Sequence, residues 1–169
     1  MEFGWLIEIL VLAVHLLPKS IMLRIYPDTE LANRVCVSQG LREPVLSVQE
    51  QRIRAYDVSI CNPFSLFDVR VTNITARIVA NSFEISTVTE FPNPEQKKIK
   101  FLGTRSFELP GAPTSHEGKT LVSQSRSATP PNAVDRLDAI VFVEATLSTW
   151  FNTEFLIKSQ LPIQMLLVN

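Results

Sequence analysis

Glycine and cysteine are scarce in this chain: five glycines and two cysteines in 169 residues. So little glycine leaves little material for a phosphate-cradling loop. Neither that loop nor G-x-S-x-G nor H-E-x-x-H occurs. There is no C-x-x-C pair, and histidine is confined to His15 and His116, so the ligands of a zinc centre are missing. His116 lies between Ser115 and Glu117 with no recognisable nucleophile or orienting acid, and reads as an exposed loop residue. Glu84, Glu90 and Glu144 show no acid–base pairing and read as polar-face strand residues. No catalytic residue, metal or cofactor is assigned, and an enzyme is not expected.

Long runs of one charge are also absent. The formal net charge is -1, with sixteen basic residues spread along the chain. Phosphate binding needs a clustered positive face, so nucleic acid is not expected as a partner. Lys97, Lys98 and Lys100 form the densest basic group and read as a solvated loop or strand edge. Cys36 and Cys61 can form one disulfide in an oxidising compartment, but two cysteines do not imply one.

Apolar residues are plentiful, at 46%, enough for a real core. The longest apolar run opens the chain: FGWLIEILVLAVHLL, residues 3 to 17. A membrane-spanning helix needs about twenty residues. Counting from Met1 to Leu23 reaches that length, with Lys19 and Arg24 able to snorkel. Residues 1–24 are therefore expected to be a membrane anchor contacting the bilayer. Glu8 and His15, on one helical face, count against burial in lipid. A cleaved signal peptide is a rival reading, but it lacks a basic start and small residues at a cleavage site. A buried amphipathic helix is a third. The basic residues all follow the run, which by the charge rule alone would place the remainder in the cytosol.

Residues 25–44 read as a linker and first strand, and residues 45–169 as one β-domain. Tyr56, Val58 and Ile60 alternate with polar residues, and Val141, Val143, Ala145 and Leu147 do so again, as half-buried strands must. Between Val71 and Ile74 the apolar parity changes, which predicts a β-bulge at Asn73. Further strands are expected at 83–88, 99–102, 105–109 and 155–167, the last with Pro162 at a bulge or edge. Another is expected from Lys119 to about Arg126. No amphipathic helix is expected after residue 25. Seven or eight short strands predict an antiparallel, immunoglobulin-like β-sandwich.

Asn73-Ile74-Thr75 is an acceptor pattern for an N-linked sugar, which is added only outside the cytosol. Phe64, Leu66 and Phe67 follow the Asn62-Pro63 break. They read either as a cap on the core or as the entrance to a lipid or partner site.

Three stretches carry a family resemblance: LLPKSIMLRI (16–25), YDVSICNPFSLFDVRVTNITARIV (56–79) and IVFVEATLSTWFNTEFLIKSQLPI (140–163). Together they resemble the transmembrane protein 106 family, whose lumenal domain is a LEA-2 β-sandwich. Pro18-Lys19-Ser20 matches its turn after the membrane segment, and Val71–Ala76 its V-x-N-I-T-A segment. Asn62-Pro63-Phe64 is similar to the N-P loop of LEA-2 domains generally. The long cytosolic N-terminal region of the family is missing, and Cys36 and Cys61 do not match its late cysteine pair. The resemblance implies a single-pass type II protein of late endosomes or lysosomes with a lumenal C-terminal domain. It also implies a glycan on Asn73, partners among membrane or lumenal proteins, and a role in organelle organisation and trafficking. The alternative is a lipid-binding or lipid-transfer LEA-2 domain.

Overall fold

The computed structural model describes residues 4–95, 97–128, 135–152 and 154–168. The apolar opening run does not form one long helix. It forms α1 (Gly4–His15) and α2 (Lys19–Ile25), separated at Pro18. Proline donates no N–H and disfavours helical geometry in the residue before it, so the helix ends at this point. No helix among the described residues is long and apolar enough to cross a membrane. The twelve residues of α1 span about 18 Å, short of a hydrocarbon core of about 30 Å. The continuous anchor over 1–24 is corrected accordingly.

The expected linker is also partly helical. α3 (Asp28–Arg34) precedes β1 (Cys36–Gln39). Asp28 and Glu30 occupy the first turn of α3 and Arg34 the last, a charge order that suits the helix dipole.

The remainder is a sandwich of two sheets. One has the order β1–β4 (Tyr56–Cys61)–β8 (Thr104–Leu109). The other runs β6 (Phe83–Glu90), β5 (Val69–Ala80), β10 (Asp135–Ser148), β11 (Phe155–Val168), β2 (Val45–Ser47), β3 (Arg52–Ile53), β9 (Ala112–Pro113). β7 (Lys98–Ile99) pairs with the start of β5. The pairing is antiparallel except between β11 and β2, which is parallel. This parallel pair corrects the all-antiparallel expectation. β9 is tied back to the opposite edge of its own sheet: the Ser115 N–H donates to the Ile85 carbonyl (2.8 Å), and Ser86 Oγ donates to the Pro113 carbonyl.

The predicted bulge is present, one residue earlier than Asn73. Val71 pairs with Leu147 and Asn73 with Thr146, so Thr72 is the extra residue. Pro162 sits on β11 opposite Ile140, where β11 has only one neighbouring strand, because β2 reaches only Leu166–Val168. A missing N–H is tolerated at such a position. Val141, Val143, Ala145 and Leu147 are all buried, as are Tyr56, Val58 and Ile60.

The strand expected from Lys119 to Arg126 is a helix instead, α4 (His116–Ala128). Ser115 caps it: its Oγ accepts from the Gly118 N–H at 2.9 Å and donates to the Glu84 carbonyl. This satisfies one of the helix's orphan donors. Leu121 is buried, and Gly118 lies so close to β6 that a Cβ there would be 3.1 Å from the Ile85 carbonyl oxygen. His116 thus opens a helix and is not part of a loop.

Candidate functional site

Among the described residues no cluster of three or more His, Cys, Asp or Glu could hold a metal. The distinctive chemistry is at one end of the sandwich, where α1–α3, the 62–68 segment, the 97–103 segment and the β10–β11 loop meet.

Asn62 organises this end. It is buried at 1% exposure. Its Nδ2 donates to the carbonyls of Phe67 (2.9 Å), Lys100 (3.2 Å) and Ile99 (3.3 Å). Its Oδ1 accepts from the Phe64 N–H at 3.1 Å. One amide therefore shapes two loops, which explains the position of asparagine before Pro63.

Phe64 and Phe67 are buried and stacked, with centroids 4.7 Å apart. Tyr26, after α2, meets both edge-on. Phe67 meets Phe151 at 5.0 Å, and Phe151 meets Trp150. His15, the last residue of α1, stacks on Trp150. The Arg34 guanidinium lies over the Phe64 ring at 5.3 Å. Leu66 is partly buried against the same cluster. Phe64 and Phe67 thus belong to the buried core, with Leu66 packed against it.

This aromatic joint holds the helices against the sandwich through Val14, Met22 and Leu31, which belong to the same core. It leaves much apolar surface uncovered. Trp5, Ile9, Leu10 and Leu12 of α1 are exposed, Leu12 at 65%, as are Leu16 and Leu17 beyond it and Ile21, Leu23 and Ile25 of α2. A helix this apolar all round is normally buried in protein or in lipid.

Asn73 lies on the outer face of β5, half-buried, and pairs with Thr146 near the β10–β11 loop. The core-facing set is Ile74, Ala76 and Ile78, so the bulge turns Asn73 outward. Cys36 and Cys61 face each other across β1 and β4 and are joined as a disulfide, Cα to Cα 5.2 Å.

Two polar features leave no signal in the sequence. Arg42 donates to both carboxylate oxygens of Asp57 (Nη2–Oδ1 2.8 Å, Nε–Oδ2 3.1 Å) and contacts Glu108 at 2.8 Å. Hydrogen bonding to Asp57 and then to Glu108 holds its guanidinium proton more firmly than usual. Tyr56 is buried, its hydroxyl has no partner among the described residues, and burial pushes its pKa up. Their spacing along the chain is uninformative, since only the strand pairing brings such residues together.

No protein-family model matches the chain, and no curated protein matches it. Among solved structures it is similar to an Arabidopsis thaliana protein determined in solution (15% identity, TM-score 0.49, covering 80% of this chain and 79% of that one). It is also similar to a candidate late embryogenesis abundant (LEA) protein (13% identity, TM-score 0.47, 85% of this chain and 79% of that one). A third is a candidate ApaA protein from Bordetella pertussis (16% identity, TM-score 0.45, 78% and 93%). Similarity at this level assigns no activity.

Proposed function

We propose that the chain is a membrane-associated interaction module of the transmembrane protein 106 type. In this reading its N-terminal helical segment lies in a bilayer, and its LEA-2-like sandwich stands on the lumenal side of late endosomes or lysosomes. The observation that carries the reading is the uncovered apolar surface of α1 and α2 on a segment fastened to the sandwich. Leaving that surface in water would be unfavourable by roughly 25 cal/mol per Å². The paired cysteines favour an oxidising compartment. The outward-facing Asn73 in its sequon is consistent with the same side of the membrane.

Two measurements test it. The full chain should stay with membranes through alkaline carbonate extraction; release into the supernatant overturns the membrane reading. Asn73→Gln should abolish a glycosidase-sensitive mass shift. A wild-type chain that runs identically with and without glycosidase, and is digested in intact organelles, overturns the lumenal reading.

A second reading, a lipid-binding module, draws on a different feature. A cavity of about 590 Å³ opens where Gln39 of β1 meets the ends of β5, β10 and β11, with Val79, Ala139, Ile140 and Ile163 in its walls. Mass spectrometry of the purified protein should find stoichiometric lipid under this reading and none otherwise.

A further inference from the structure

The end of the sandwich that carries the helices also carries a turn with unusual chemistry. Phe101 and Leu102 stand side by side at its tip, exposed, Leu102 at 68%. They cannot easily tuck away, because hydrogen bonds hold the backbone around them. The Phe101 N–H donates to Asp68 Oδ1 (3.0 Å). The Leu102 N–H donates to the Phe64 carbonyl and the Gly103 N–H to the Lys100 carbonyl, both at 3.0 Å. Beneath them, Asn62 donates to the Lys100 carbonyl through its side chain and to the Gly103 carbonyl (2.8 Å) through its backbone. Leu102 sits at φ 51°, a region sparsely populated by residues with a Cβ. The fold thus maintains an unfavourable backbone that points two large apolar side chains into solvent.

The setting of this tip is basic. Lys98 and Lys100 are exposed and Lys97 half-buried. Lys98 is paired with Asp68 at 2.6 Å, whereas Lys97 and Lys100 make no ion pair among the described residues. A cavity of about 540 Å³ beside the tip is lined by Lys98, Lys100 and Arg105 against a single carboxylate, Glu95. A solvated loop accounts for the lysines but not for Phe101 and Leu102. A polyanion such as nucleic acid accounts for the charge but leaves the apolar tip in water.

We infer that the 97–105 turn is a second membrane contact: Phe101 and Leu102 enter the interface while Lys97, Lys100 and the basic cavity take acidic phospholipid headgroups. Apolar insertion and headgroup attraction act together in this way at bilayer surfaces. The location supports the assignment. The Phe64 carbonyl accepts from the turn, while the Phe64 ring touches Tyr26 and Arg34 of the helical segment. Turn and helices therefore flank one aromatic cluster. The domain would be held against the bilayer at two points, which fixes its orientation as a single tether could not. The inference rests on the membrane reading above only for this orienting role; the turn's lipid affinity stands by itself.

The test uses the full chain with Leu102→Cys, labelled with an environment-sensitive fluorophore. Both native cysteines are paired, so under non-reducing conditions the new thiol is the only one to react. The label is read on phosphatidylcholine vesicles with and without about one-third phosphatidylserine. A label at Lys119→Cys, exposed on α4, reports nonspecific effects. The expected result is a blue shift, and an accessibility to aqueous quencher at least roughly tenfold lower, only at position 102 and only with phosphatidylserine. Lys97→Glu with Lys100→Glu should abolish both. A label equally quenched on both vesicles overturns the inference and leaves a protein surface as the turn's partner. A shift that survives the charge reversal overturns the headgroup assignment. Failure to float with neutral vesicles overturns the helical membrane contact alone, since the label on acidic vesicles still decides the turn.

Discussion

The imidazole of His15 stacks on the indole of Trp150, with ring centroids 5.3 Å apart and planes inclined by 19°. This contact joins the last residue of α1 to the β10–β11 loop. It also resolves a difficulty in the sequence, where a histidine in an apolar run argues against a lipid-facing helix. One face of the exposed His15 ring meets Trp150, and its Nδ1 lies 2.8 Å from the Val11 carbonyl. Replacing it with alanine should loosen the joint by about 1 kcal/mol. Amide exchange in the last turn of α1 should accelerate by about fivefold, and His15→Phe should restore most of the protection. Unchanged exchange in His15→Ala would show that Val14 and Met22 hold the helices without the ring.

Asn62 should be the most sensitive polar residue. Asn62→Asp keeps the shape and the acceptor for the Phe64 N–H but loses every side-chain donor, and it places a carboxylate at a buried position. Urea unfolding should show a loss of about 3 kcal/mol or more. A smaller loss than for an exposed asparagine such as Asn81 would remove Asn62 from its organising role.

Tyr56 gives a pH-dependent effect. Its pKa is raised above the ordinary 10.0 by burial. The folded state therefore holds the phenolic proton more tightly than the unfolded state. Stability linked to this group is fully present below about pH 10 and falls as the pH rises beyond it. Tyr56→Phe should abolish this component. Because the hydroxyl has no partner among the described residues, the variant should also be about 1 kcal/mol more stable at neutral pH. The measurement is the difference between wild type and variant in urea midpoint from pH 8 to 11; a constant difference would contradict the assignment.

The disulfide closes a separation of 25 residues. Chain-entropy reasoning gives a contribution of about 3.5 kcal/mol. Cys36→Ser with Cys61→Ser should lower stability by about that amount while leaving the sandwich folded, because β1 is an edge strand. Thermal unfolding with and without reductant checks this: reductant should lower the wild-type midpoint and leave that of the double variant unchanged.

Val143 is fully buried on the central strand β10. Val143→Asp would bury a charge with no partner and should cost more than about 4 kcal/mol. Soluble, folded protein at wild-type yield would show that this face is not the core.

The alternation along β10 and the parity change at Asn73 are legible in the residues alone. A strand's side chains have a period of two, and one buried face leaves its imprint on every second residue. The break at Pro18 is also present in the sequence, but counting apolar content across it hides its consequence. α4 leaves no such imprint: a short Ser-rich helix anchored by Leu121 has too little apolar periodicity to distinguish it from a strand. Other features exist only in three dimensions. The parallel β2–β11 pair, the facing of Cys36 and Cys61, the Arg42–Asp57–Glu108 cluster and the His15–Trp150 stack all join residues distant in the chain. The 97–105 turn belongs to both levels. Its lysines are visible as a basic group, but only Asn62, Asp68 and the Phe64 carbonyl decide that Phe101 and Leu102 point outward. Local pattern determines which residues want burial. Whether they obtain it depends on which distant backbone groups reach them, and only the tertiary structure settles that.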